Sequence, residues 1–166
     1  MAYRLLSEKD LATGEGPFEL RGALDVNRWY GEPVPSRVPA AWHYYKDDYE
    51  PRYGDDMFTF ESYTGSTTSR EHWRIHYHSN ISRLAFAGDT LVLAVTGGRY
   101  GGPGIQALIA ADDSGWLRVI SKFFGLKSAG RRFHILGRDH LQRLEFDFIR
   151  RMELDLLEVS LATLYR

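Results

Sequence analysis

A mostly β domain with helices, followed by one long amphipathic helix, is the fold this sequence predicts. Three observations predict it. Leu91-Val-Leu-Ala-Val-Thr96 and Ile105-Gln-Ala-Leu-Ile-Ala110 are apolar runs of strand length, rich in branched side chains. Met57-Phe-Thr-Phe-Glu-Ser-Tyr63 and Ser69–His78 alternate between two kinds of side chain with the period of a strand. From Leu141 to Leu164, apolar residues recur at Leu141, Leu144, Phe148, Met152, Leu156 and Val159, the spacing of a helix with one apolar side.

Along the chain, Ala2–Leu6 reads as a first strand and Ser7–Gly16 as a polar loop ending in two glycines. Phe18–Leu24 reads as a short strand. Pro33, Pro35 and Pro39 then punctuate a segment expected to be neither a central strand nor a helix, because proline donates no backbone hydrogen bond. Tyr44–Tyr53 is tyrosine-rich and acidic, and reads as a surface loop. Met57–Tyr63 and Trp73–Tyr77 frame the Thr64–Arg70 loop as a long hairpin. Gly97-Gly-Arg-Tyr-Gly-Gly-Pro-Gly104 invites a phosphate-cradle reading, but a second strand follows it where the nucleotide-binding motifs need a helix, so a hairpin loop is the better reading. Asp112-Asp-Ser-Gly115 reads as a turn, and Asp139 as the cap of the final helix.

Hydrophobic residues at 43% and aromatics at 14% suit a globular chain, and 166 residues suffice for one core. With no cysteine, disulfides and thiolate metal sites are excluded. No apolar run is long enough to span a bilayer and the first residues lack a signal-peptide core, so a soluble cytoplasmic protein with no membrane partner is expected. The net charge of −1 argues against binding nucleic acid through the whole surface. The charges are segregated, however. Arg118, Lys122, Lys127, Arg131, Arg132 and Arg138 occur in a stretch with no acid, whereas Asp47, Asp48, Glu50, Asp55 and Asp56 crowd another.

The stretch richest in chemistry is Ser69-Arg-Glu-His-Trp-Arg-Ile-His-Tyr-His78. As a strand it places Arg70, His72, Arg74, His76 and His78 on one face, with Trp73, Ile75 and Tyr77 on the other. Two readings of the first face compete with that of an ordinary solvated strand: a grip on nucleic acid, and a metal site using His72, His76 and His78. A glutamate shortly after His78 would strengthen the metal reading, but Ser79–Gly88 holds no acid. No Gly-x-Ser-x-Gly elbow is present, and no Pro-Asp occurs to open the usual metal-dependent nuclease motif.

Three patches, in order, resemble the N-terminal DNA-binding effector domain of EcoRII-type restriction endonucleases. Arg4-Leu-Leu-Ser-Glu-Lys-Asp-Leu-Ala-Thr-Gly14 is similar to its opening strand and first recognition arm. Ser66–Ile75, with Arg70, Glu71 and Arg74, is similar to its second arm, which carries a basic Asn-Glu-Lys-Arg-Ile-like run. Arg143-Leu-Glu-Phe-Asp-Phe148, followed by Glu153 and Leu154, resembles the helix start after its barrel. The patches cover about a quarter of the chain. His72 and Trp73 stand where the family has one lysine, and Gly16 where it has a histidine.

The resemblance implies a DNA-binding pseudobarrel over 1–138 and, over 139–166, a C-terminal helix leading to a catalytic domain. It implies a pincer of two arms reading bases in the major groove of double-stranded DNA, with a CCWGG-like site as the family's target. The residues expected to meet the duplex are Thr13, Gly14, Glu15, Gly16 and Arg21 around the first arm, and Thr68, Ser69, Arg70, Glu71, His72, Trp73, Arg74 and His76 around the second. Arg131, Arg132 and Arg143 would hold phosphates. The chain itself is expected to be non-catalytic, with no cofactor and no metal, and a fused or associated nuclease domain as its partner. The alternatives are a small metal-dependent β-barrel enzyme using His72, His76 and His78, and an interaction domain whose long helix docks a partner.

Overall fold

The computed structural model describes residues 1–11, 18–20, 26–31, 33–48, 50–64, 71–96 and 104–136, with backbone alone at 18, 27, 64, 71, 72 and 96. By its contacts the chain divides into Met1–Ile135 and Leu136–Arg166. The helix expected from Asp139 onward lies outside the described residues. Among those described, no helix is long and apolar enough to cross a membrane.

The protein is mostly β with helices. Its elements are β1 (Ala2–Leu5), β2 (Phe18–Leu20), α1 (Val26–Tyr30), β3 (Arg37–Tyr45), β4 (Arg52–Thr64), β5 (Glu71–Tyr77), β6 (Thr90–Thr96), β7 (Gly104–Ala110), α2 (Gly115–Phe124) and β8 (His134–Ile135). The eight strands form one curled sheet, a half-barrel, in the order β2-β5-β4-β3-β7-β6-β1-β8. All neighbours are antiparallel except β3 and β7.

Alternation along each strand sends one set of side chains into the concave side. Val38, Ala40, Trp42 and Tyr44 of β3 meet Phe58 and Phe60 of β4, Ile75 and Tyr77 of β5, Leu91 and Leu93 of β6, and Ile105, Ala107 and Ile109 of β7 in one core. Trp42 lies at its centre, with its ring centroid 5.4 Å from Phe58 and 4.8 Å from Tyr77. α1 adds Val26, Trp29 and Tyr30, the last two packed on Phe60.

The opposite face is shared between a helix and solvent. α2 lies over β7 and the strands beside it: Trp116 meets Tyr45 at 4.8 Å, and Ile120 and Phe124 are buried. The Ser114 hydroxyl accepts from the Leu117 amide and caps the helix, while Gly125 ends it in the left-handed region at φ 61°. The Gly115 amide also donates to both carboxylate oxygens of Asp47 at 2.8 Å, so one residue of the acidic stretch is tied to the basic helix. Past α2, the chain crosses β1, where the Lys127 amide donates to the Tyr3 hydroxyl and His134 stacks on the Tyr3 ring.

Two expectations are corrected here. Pro39 stands inside β3, a central strand. The conflict is resolved by register, because β7 pairs with β3 only from Ala40 onward. Pro39 therefore sits just before the described pairing with β7 begins, and its ring is exposed. Of the expected surface loop Tyr44–Tyr53, Tyr44 and Tyr45 are the buried end of that strand, and Arg52 and Tyr53 open β4. Asp112 and Asp113 do form a turn, but Ser114 already caps α2, an element the sequence reading did not separate from the turn.

Candidate functional site

β5 presents the face on which the functional readings depend. Ile75 and Tyr77 are buried and Trp73 packs against the same core, whereas Arg74 and His76 point the other way. The antiparallel register defines their neighbours. Glu61 and Thr59 of β4 stand opposite Arg74 and His76, and Glu19 of β2 stands opposite His76 on the other side. Arg37 of β3 is opposite Thr59, so Arg37, Thr59, His76 and Glu19 form a row across four strands.

The side chains in this patch are paired, acid against base. His76 Nε2 lies 3.3 Å from Glu61 Oε2. Arg74 Nε lies 3.9 Å from Glu19 Oε1, too far for a hydrogen bond, and its guanidinium rests 4.6 Å above the Tyr63 ring. Half of the Arg74 side chain is accessible and Tyr63 is exposed, so these contacts leave the guanidinium open to a larger partner. Among the described residues, Arg74 and His76 of the expected ladder of cations thus lie in a mixed-charge surface.

The described residues that flank the expected arms, Thr64 and Glu71 for the second and Asp10 and Phe18 for the first, lie at opposite ends of β5. The chain leaves β4 at Thr64 and enters β5 at Glu71, which is paired with it. Phe18, the first residue of β2, is paired with Tyr77 at the far end of β5. The approach to the first arm is anchored there too, because the Tyr77 hydroxyl donates to the Asp10 carbonyl at 3.1 Å. Asp10 is fully buried. Its carboxylate is ion-paired with the buried Arg4 and accepts from the Ser7 amide and hydroxyl. Burial is the main cause that pushes the Tyr77 hydroxyl up, with the Asp10 charge adding to it, and this keeps it a donor to that carbonyl.

Of the residues expected to meet a ligand, Arg74 and His76 share the outer face of β5, with Glu71 and His72 preceding them on the backbone. Trp73 faces the core. Arg131 and Arg132 are exposed on the segment before β8, at the other end of the strand order from β5. Thr13, Gly14, Glu15, Gly16, Arg21, Thr68, Ser69, Arg70 and Arg143 lie outside the described residues. The sequence reading missed Arg37, Glu19, Glu61 and Tyr63. A signal existed for two of these, since symmetric pairing about the Thr64–Arg70 loop places Glu61 opposite Arg74 and Tyr63 opposite His72.

Among the described residues, no three His, Asp or Glu side chains gather as metal ligands would. A cleft of about 330 Å³ lies on the α2 side, lined by Leu5, Thr90, Asp112, Leu117, Ser121, Lys127 and their neighbours. Histidine is absent from this lining. In comparisons with known protein families, curated proteins and solved structures, the chain matches none.

Proposed function

We propose that this chain is a sequence-specific double-stranded DNA-binding domain, non-catalytic by itself, that serves as the recognition part of a restriction endonuclease. The observation that carries the reading is the outer face of β2, β5 and β4. Arg74 and His76 are set there among Glu19, Glu61 and Tyr63, between the roots of two loops. Base edges in the major groove offer acceptors on guanine and amino donors on cytosine and adenine, so a surface that reads them needs cations and carboxylates side by side.

Arg131 and Arg132, exposed on the segment before β8, suit phosphate contacts rather than base reading. The likeness of three sequence patches to the EcoRII-type effector domain adds the expectation of a CCWGG-like target and of a nuclease domain as partner.

The test is a mobility shift with the purified chain on a pool of randomised duplexes, with the bound fraction sequenced. A short enriched site, with C·G pairs flanking an A·T centre, is expected. A bound fraction with the composition of the input pool would overturn the proposal.

A further inference from the structure

We infer that Glu19 and Glu61 act as a charge filter on this face, holding Arg74 and His76 back from phosphates and leaving them to base edges. The inference rests on the double-stranded DNA reading above and adds how that site discriminates. Its basis is a juxtaposition across three strands: Glu19 on β2 beside Arg74 and His76 on β5, and Glu61 on β4 facing His76 at 3.3 Å.

Among the described residues of this face, the carboxylates of Glu19 and Glu61 are matched by the guanidiniums of Arg74 and Arg37. It therefore carries no formal excess of positive charge to draw a phosphate row. The acids cannot bind phosphate, and the cations already have counter-charges at lower desolvation cost. A base edge differs, because it can satisfy both signs at once. Guanine O6 and N7 accept from Arg74, while the amino group of cytosine or adenine donates to a carboxylate. The 3.9 Å Arg74–Glu19 separation suits this exchange, being close enough to neutralise yet too long to be a hydrogen bond that must be broken. The Tyr63 ring beneath the guanidinium keeps its plane oriented when Glu19 turns to a base.

The test is a double-mutant cycle in the full chain, reading affinity for the selected duplex and for a scrambled one. Glu19→Gln keeps the shape and removes the charge. It is expected to tighten binding to scrambled duplex about two- to five-fold, the range of an exposed ion pair, and to lower the ratio of selected to scrambled affinity. In the Arg74→Ala background, the same change should alter scrambled binding less than two-fold, because the cation being withheld is gone. Equal tightening in both backgrounds would mean general repulsion between Glu19 and DNA, and would overturn the filter. So would an unchanged ratio. Failure of the unsubstituted chain to enrich any duplex would instead overturn the DNA reading, so the two failures are distinguishable. Thermal melts of each variant confirm that the half-barrel is intact before affinities are compared.

Discussion

Arg74 is the residue at which sequence, fold and proposed function meet. Its outward direction was legible, because Trp73, Ile75 and Tyr77 alternate with Arg74 and His76 and only one of those sets suits a core. Its partners were only partly legible. Glu61 follows from the hairpin, but Glu19 reaches β5 through a pairing that spans more than fifty residues, which no local pattern encodes. Arg74→Ala is expected to weaken binding to the selected duplex by about 1–3 kcal/mol, the cost of a lost base contact. Half of this side chain is in solvent, so the melting temperature should hardly move. A similar loss on scrambled duplex would make Arg74 a phosphate contact instead.

Asp89 carries the pH prediction at the same scale. Its carboxylate accepts from the Phe86 and Asp112 amides at 2.9 and 3.2 Å and joins the turn before β6 to the turn before α2. Burial pushes its carboxyl above the ordinary 3.8, and Asp112 and Asp113 add to the rise while the two amides oppose it. Ionising Asp89 therefore costs the folded state more than the unfolded one. Its contribution to stability falls as pH rises from 3.8 through the raised folded-state value. Asp89→Asn removes this titration. The melting temperature of the parent, less that of the variant, is expected to drop across that window, as measured by melts at a series of pH values.

At the scale of elements, strands were easier to find than the helix that covers them. β6 and β7 declare themselves as apolar runs. The pattern Trp116, Ile120, Phe123 and Phe124, between Ser114 and Gly125, contained a helix start and stop, but the preceding Asp-Asp-Ser-Gly cluster reads equally well as a turn. Ser114→Ala removes the cap and is expected to cost about 1 kcal/mol of stability, as measured in denaturant melts. The root of the first arm offers a larger effect. Arg4 and Asp10 are an ion pair buried on both sides, and Asp10 also orients Ser7. Asp10→Ala leaves the guanidinium buried without its counter-charge, so a loss of about 3–5 kcal/mol is expected, more than an exposed pair could give. A loss under about 1 kcal/mol, the range of exposed pairs, would show that Arg4 has found solvent instead.

For the molecule as a whole, the proposed function raises the question of how a chain of net charge −1 would hold a polyanion. The mostly β character was legible because the hydrophobic pattern repeats in β4 to β7, whereas β3, which carries Trp42 into the core, was hidden by its prolines and tyrosines. The balance of charges was not legible, since it depends on which strands become neighbours. Asp47, from the acidic stretch, is drawn to the start of the basic helix, and the β5 cations are matched by carboxylates. Among the described residues Arg131 and Arg132 are adjacent, exposed and within an acid-free run. Each phosphate neutralised contributes about −0.9 to the slope of log affinity against log salt. If Arg131 and Arg132 each hold one phosphate, neutralising both should flatten that slope by about two units and weaken selected and scrambled duplexes equally. Arg74→Ala should do the opposite, lowering the preference for the selected duplex while leaving the slope nearly unchanged. A slope indifferent to Arg131 and Arg132 would place the phosphate grip elsewhere and make these two arginines ordinary solvated charges.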